Sequence, residues 1–194
     1  LAFQGRASIP RTGDARDLGL SCTVDGHARA GEARIDTLAA EIALARGLAL
    51  IPRFAIRGNV AAFDGAGRIA LLPEAGDSTS FRLDGTLLDP APIASLAGLH
   101  DLAATGGRLS VSADGPPGAT RFRGRLAIRR PHVNEVWADT ATVDFAGRLR
   151  ATALEEWKAR IDARSLVFWP LRPRDLDADL RWDGLHLQVE ARSV

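Results

Sequence analysis

Apolar and polar residues alternate with a period of two along most of the chain. Phe54, Ile56 and Val60 alternate with Ala55, Arg57 and Asn59, and Phe81, Leu83 and Leu87 with Arg82, Asp84 and Thr86. Phe122, Leu126 and Ile128 alternate with Arg123, Arg125 and Arg129. Near the C-terminal end, Leu176, Ala178, Leu180 and Trp182 interleave with Asp175, Asp177, Asp179 and Arg181. Successive side chains of a strand point to opposite sides, so each run predicts a strand with one apolar and one solvated face. Clusters rich in glycine, proline and acid read as the turns between runs: Asp64-Gly65-Ala66-Gly67, Glu74-Ala75-Gly76-Asp77 and Asp114-Gly115-Pro116-Pro117-Gly118. One helix is expected over residues 90–104. Asp89 would be its N-cap, Pro90 its first position, and Ile93, Leu96, Leu99 and Leu102 its apolar stripe. Ala153 to Ala163 contains a comparable apolar set but alternates through Trp157, Ala159, Ile161 and Ala163, and is read as strand.

A second pattern lies within the first. An apolar, usually aromatic, residue stands two positions before a glycine in LAFQG, CTVDG, FAIRG, FRLDG, TRFRG, VDFAG and LRWDG, which end at Gly5, Gly26, Gly58, Gly85, Gly124, Gly147 and Gly184. The gaps between these glycines vary, which disfavours a coiled β-helix and suits a meander of unequal hairpins. Residues two apart share a face, so each glycine removes volume beside a bulky neighbour and lets a ring fold over bare backbone.

So many one-sided strands with so little helix leave an apolar face needing a partner. The sheet can close on itself, fold into a sandwich with a filled core, or stay open and bind something apolar. The expected architecture is all-β: a long antiparallel meander rolled into an open trough with an apolar interior, residues 1–194 forming one segment. Its lining is expected at Phe3, Val24, Phe54, Ile56, Val60, Ile69, Leu71, Phe81, Leu83, Leu109, Val111, Phe122, Leu126, Ile128, Val143, Phe145, Leu149, Leu180 and Trp182.

Composition narrows the options. With 25 Lys and Arg against 24 Asp and Glu, the net charge of +1 argues against a nucleic-acid partner. The lone Cys22 has no disulfide partner, and the four histidines have no neighbours at metal-ligand spacing. A chain of 194 residues that starts at Leu1 and lacks methionine reads as an excised piece of a longer protein. No uninterrupted apolar stretch approaches the ~20 residues of a membrane-spanning helix. Asp175, Asp177 and Asp179 resemble the start of a calcium loop, but Leu180 stands where glycine is required, and the three fit better as one strand's wet face. Glu155 and Glu156 are adjacent and would point opposite ways. No catalytic constellation, cofactor or metal is expected.

The runs FAIRGNVAAFDGAGRIALLP, TSFRLDGTLLDPAPIASLAGLHDLAATGGRLSVSADG and ATRFRGRLAIRRPHVNEVWADTATVDFAGRL are similar to the repeating units of the AsmA-like superfamily, and within it of TamB-like proteins. The resemblance rests on the strand-Gly-strand cadence and on an Asp-Pro-Ala-Pro helix leading into a Gly-Arg-Leu strand, and it spans most of the chain. It implies a periplasmic segment of an inner-membrane-anchored protein of a diderm bacterium. The segment would belong to a rolled hydrophobic conduit that carries phospholipid acyl chains towards the outer membrane. Implied partners are those lipids and the outer-membrane assembly machinery of the barrel-insertase type; membrane contact would come through regions outside the chain. The runner-up expectation is a scaffold that pairs its strand edges with unfolded outer-membrane proteins.

Overall fold

A computed structural model describes residues 20–30, 32–45, 47–71, 78–92, 102–117, 119–150, 153–168, 174–183 and 186–193. The strands in chain order are β1 (Leu20–Ala30), β2 (Ala33–Ala45), β3 (Leu48–Gly58), β4 (Ala61–Ala70), β5 (Thr79–Leu87), β6 (Leu102–Ala103) and β7 (Gly107–Gly115). They continue with β8 (Thr120–Arg129), β9 (His132–Val133), β10 (Val136–Trp137), β11 (Thr140–Arg150), β12 (Ala153–Phe168), β13 (Arg174–Trp182) and β14 (Leu187–Ser193). The long strands pair antiparallel with their chain neighbours, in the order β1-β2-β3-β4-β5-β7-β8-β11-β12-β13-β14. The short strands β6, β9 and β10 form a flap on the last residues of β12, where Val136 lies opposite Phe168. The all-β meander expected from the alternation is the fold.

The sheet is open and uncurled, so its apolar side is a broad wall rather than the enclosed interior of a rolled trough. The burial pattern agrees. Among the described residues no large side chain is fully buried, and the buried apolar residues are alanines with the exception of Val60. A filled sandwich core would bury leucine, isoleucine and phenylalanine first. A single layer cannot do so, because each face has neighbours on one side only.

Among the described residues, the one compact buried cluster lies at the β3–β4 turn. Val60 is 6% exposed and packs with Ala33 and Ala61, against partly buried Phe63 and Leu87. Asn59 ties this turn to the one between β1 and β2: its Nδ2 donates to Glu32 O at 2.9 Å and its Oδ1 accepts from Arg34 N at 2.7 Å. Val60 O in turn accepts from Leu88 N and Asp89 N, at 2.8 and 3.2 Å.

Three local expectations are corrected. Asp64-Gly65-Ala66-Gly67 is not a turn but the middle of β4, because its glycines face bulky residues of the adjoining strands. Val60 belongs to the turn after β3 rather than to that strand's alternation. The helix expected over 90–104 does not reach its predicted end, since Leu102 and Ala103 pair with Val133 and His132. Ala91 and Pro92 are helical, with Asp89 Oδ1 accepting from Ala91 N at 3.1 Å, and residues 93–101 lie outside the described residues.

Candidate functional site

The apolar wall follows from the register. One row runs across nine strands as Ile56, Phe63, Gly85, Leu109, Leu126, Val143, Ile161, Ala178 and Ala191, each residue directly opposite the next. A second row runs Phe54, Gly65, Leu83, Val111, Gly124, Phe145, Ala159, Leu180 and Val189. A third runs Gly67, Phe81, Ala113, Phe122, Gly147, Trp157, Trp182 and Leu187. No charged residue interrupts these rows, and the gradient towards solvent is clear at the β14 end, where Leu187 and Val189 are 56% and 58% exposed.

The predicted lining therefore divides. Phe54, Ile56, Phe81, Leu83, Leu109, Val111, Phe122, Leu126, Val143, Phe145, Leu180 and Trp182 share the wall in these rows. Ile128 joins it opposite Gly107 and Ala141, Ile69 opposite Ala49, and Leu149 opposite Thr120. Val24 stands in β1 opposite Ala40, which in turn faces Phe54. Val60 is buried in the turn cluster, Leu71 is 55% exposed beyond the end of β4, and Phe3 lies outside the described residues. Phe63, Leu187 and Val189 are wall residues that the sequence reading missed, whereas Leu87, Trp157 and Leu176 stand in its alternating runs but not in its predicted lining. Phe63 carried a usable signal, because Phe63-Asp64-Gly65 repeats the aromatic-x-Gly motif.

The motif's physical role is visible between β8 and β11. Phe122 lies opposite Gly147, and Gly124 opposite Phe145. The two segments run antiparallel, so each ring meets the other segment's glycine. A methyl group on Gly124 would collide with the Phe145 ring, and one on Gly147 would come within 2.5 Å of Phe122 Cζ. The rings themselves stand 6.4 Å apart and are tilted by 50°, within the range of favourable aromatic pairs. The same exchange recurs between β4 and β5, where Phe63 covers Gly85 and Phe81 lies opposite Gly67.

Charge lies on the opposite face. Arg57 reaches Asp64 with both carboxylate oxygens accepting, at 2.6 and 2.8 Å, and Arg82 pairs with Asp84. Arg164 donates to Asp175 at 2.7 Å and to Asp162 at 2.8 Å. Asp175 also accepts from Ser165 N at 3.0 Å, at a bulge where Ser165 takes φ 53°. The Ser165 backbone bond, then Arg164, holds the Asp175 carboxyl below the ordinary carboxylate range. Asp177 and Asp179 oppose Asp162 and Arg160, as wet-face residues should.

No known family model matches the chain, and neither a curated protein nor a solved structure proved similar to it.

Proposed function

We propose that the chain is a segment of a hydrophobic wall that carries phospholipid acyl chains, without catalysis, between the membranes of a diderm envelope. The observation that supports this reading is the uninterrupted, half-exposed apolar face that crosses the sheet from β3 to β14. Strands stack at about 4.8 Å, so eleven long strands span roughly 50 Å, longer than an extended acyl chain. Acyl chains laid on such a wall gain ~25 cal/mol per Å² of apolar area removed from water. Apart from the indole N–H groups of Trp157 and Trp182, the side chains in these rows offer no directional contact that would fix them, so lipid slides more readily than it would from a shaped pocket. An uncurled wall covers a chain from one side only. Transport therefore requires the sheet to curve around its cargo, and small-angle scattering on lipid addition should report a more compact particle.

Phospholipid carrying a photoreactive acyl chain tests the reading directly. Wild-type protein should crosslink along the wall, and Phe122→Asp or Phe145→Asp should abolish it near β8 and β11. Unchanged crosslinking in both variants would sink the proposal. Native mass spectrometry gives a second readout, with co-purified phospholipid expected.

The β14 edge favours a second reading, a scaffold for outer-membrane protein strands. All seven of its residues are exposed, and edges of this kind accept a further strand through backbone hydrogen bonds. Proline substitutions along β14 would stop strand addition while leaving lipid crosslinking at Phe122 intact.

A further inference from the structure

The charged face contains a cleft of about 540 Å³ across β8, β11, β12 and β13. Its walls carry Arg121, Arg123, Arg148, Lys158 and Arg181 against Asp114, Glu156 and Asp183. Through Arg123 it adjoins a second cleft of about 470 Å³ that adds Arg82 and Arg125 against Asp144.

The register makes this more than a basic patch. Arg121 stands directly opposite Arg148, and Lys158 directly opposite Arg181. Directly opposed residues of an antiparallel pair bring their Cβ atoms to roughly 5 Å, and like charges there are destabilising. The two like-charge pairs differ in their surroundings. Arg121 also faces Asp114 across β7, and Arg148 lies 3.7 Å from Glu156, so acids flank that pair. Lys158 and Arg181 face the uncharged Ala146 and Gln188 in their row, and their acidic neighbours Glu156, Asp179 and Asp183 stand two positions away along their own strands. Among the described residues, Arg121, Lys158 and Arg181 make no ion pair within 4.0 Å. Elsewhere on this face the guanidinium groups of Arg57, Arg82 and Arg164 each hold a carboxylate.

We infer that this cleft binds a phosphate-type oxyanion between the Lys158–Arg181 pair and the Arg121–Arg148 pair. Tetrahedral oxyanions present several acceptors to converging cationic donors, and such charge-assisted bonds are the strong ones. Binding would also relieve the repulsion built into the register. The site lies on the face away from the apolar wall, so it stands whether or not that wall carries lipid.

Calorimetric titration of the whole chain with inorganic phosphate and pyrophosphate tests the free source. Flotation with phosphatidylglycerol–phosphatidylcholine vesicles, against pure phosphatidylcholine, tests a lipid headgroup. Lys158→Gln and Arg181→Gln should each weaken binding about tenfold, the loss of one charge-assisted contact. With no anion present, both variants should melt at or above the wild-type temperature, because the opposed charges are gone. Saturable pyrophosphate binding that the variants weaken supports a free oxyanion. Binding confined to the anionic vesicles, and weakened by the same variants, supports a headgroup. The inference is overturned by no binding to either probe, by binding the variants leave unchanged, by equal flotation with neutral vesicles, or by variants that melt below wild type.

Discussion

The Val60 corner and the Phe122–Phe145 region belong to the same sheet yet meet water on different terms. At the corner two turns close over each other. Asn59 satisfies two backbone groups of the neighbouring hairpin, and Val60 disappears between Ala33 and Ala61. The flap between β8 and β11 pairs instead with the end of β12. The Phe122 and Phe145 rings find cover from the glycines and small residues beside them and from each other, and they remain partly exposed. Local connections can complete a small core at a sheet's end, but in the middle of a single layer the only shelter is the adjacent strand. What the middle leaves unsatisfied is the surface available to a ligand.

The contrast can be broken from the open side first. Gly147→Val places a branched side chain within 2.6 Å of Glu156 O and against the Phe122 ring. Overpacking against backbone should cost about 3 kcal/mol, and a thermal melt should fall by roughly 10 °C for a chain of this size. Val60→Ala attacks the closed side. It removes buried methyl groups from a site that cannot collapse freely, for a loss of about 2 kcal/mol by denaturant titration. Lipid crosslinking at Phe122 should be untouched by that change, since Phe122 stands on β8, three strands away from β4. A melt in which Val60→Ala exceeds Gly147→Val would reverse the ranking of the two regions.

The subtlest test compares how each side is tied. The corner is held by an amide, Asn59, which does not titrate. The β12–β13 bulge is held by a carboxylate, Asp175, whose folded pKa lies below its ordinary value of 3.8. A depressed folded pKa stabilises fully above the ordinary value, and that contribution disappears as pH falls through the lower one. Asp175→Asn should therefore weaken the protein at neutral pH, and its deficit against wild type should shrink as pH drops below about 4. Asp175 is partly exposed, so the effect will be small, and hydrogen exchange at Ser165 N is the sensitive readout. A deficit independent of pH would assign the clip to packing.

The strand alternation and the aromatic-x-Gly motif were legible because both are properties of residues two apart on one strand. Phe122 with Gly124, and Phe145 with Gly147, could be placed on a common face from parity alone. Asp64-Gly65-Ala66-Gly67 could not. Glycine and aspartate have the composition of a turn, and only the rings on β3 and β5 make them strand residues. That misreading also hid Phe63. Val60 was misplaced because parity continues on paper through a turn that resets it in space. The opposed cations Lys158 and Arg181 were illegible for a related reason: they lie on different strands, and their encounter depends on a hairpin register that no single run encodes.

That register has its own guardian in the ring-over-glycine exchange between β8 and β11. Sliding one strand by two residues would preserve every inward and outward assignment, so the apolar pattern alone does not forbid it. It would, however, take Phe122 and Phe145 off their glycines, setting bulk against bulk at some positions and leaving bare backbone at others. The exchange thus discriminates between alignments that hydrophobicity treats as equivalent. It also frees the connections from that duty. Hairpins of unequal length, such as the short β7–β8 link and the β8–β11 excursion through the flap, can feed the same checkerboard without spoiling it. A wall specified in this way tolerates insertions at its rim while remaining in step across its breadth.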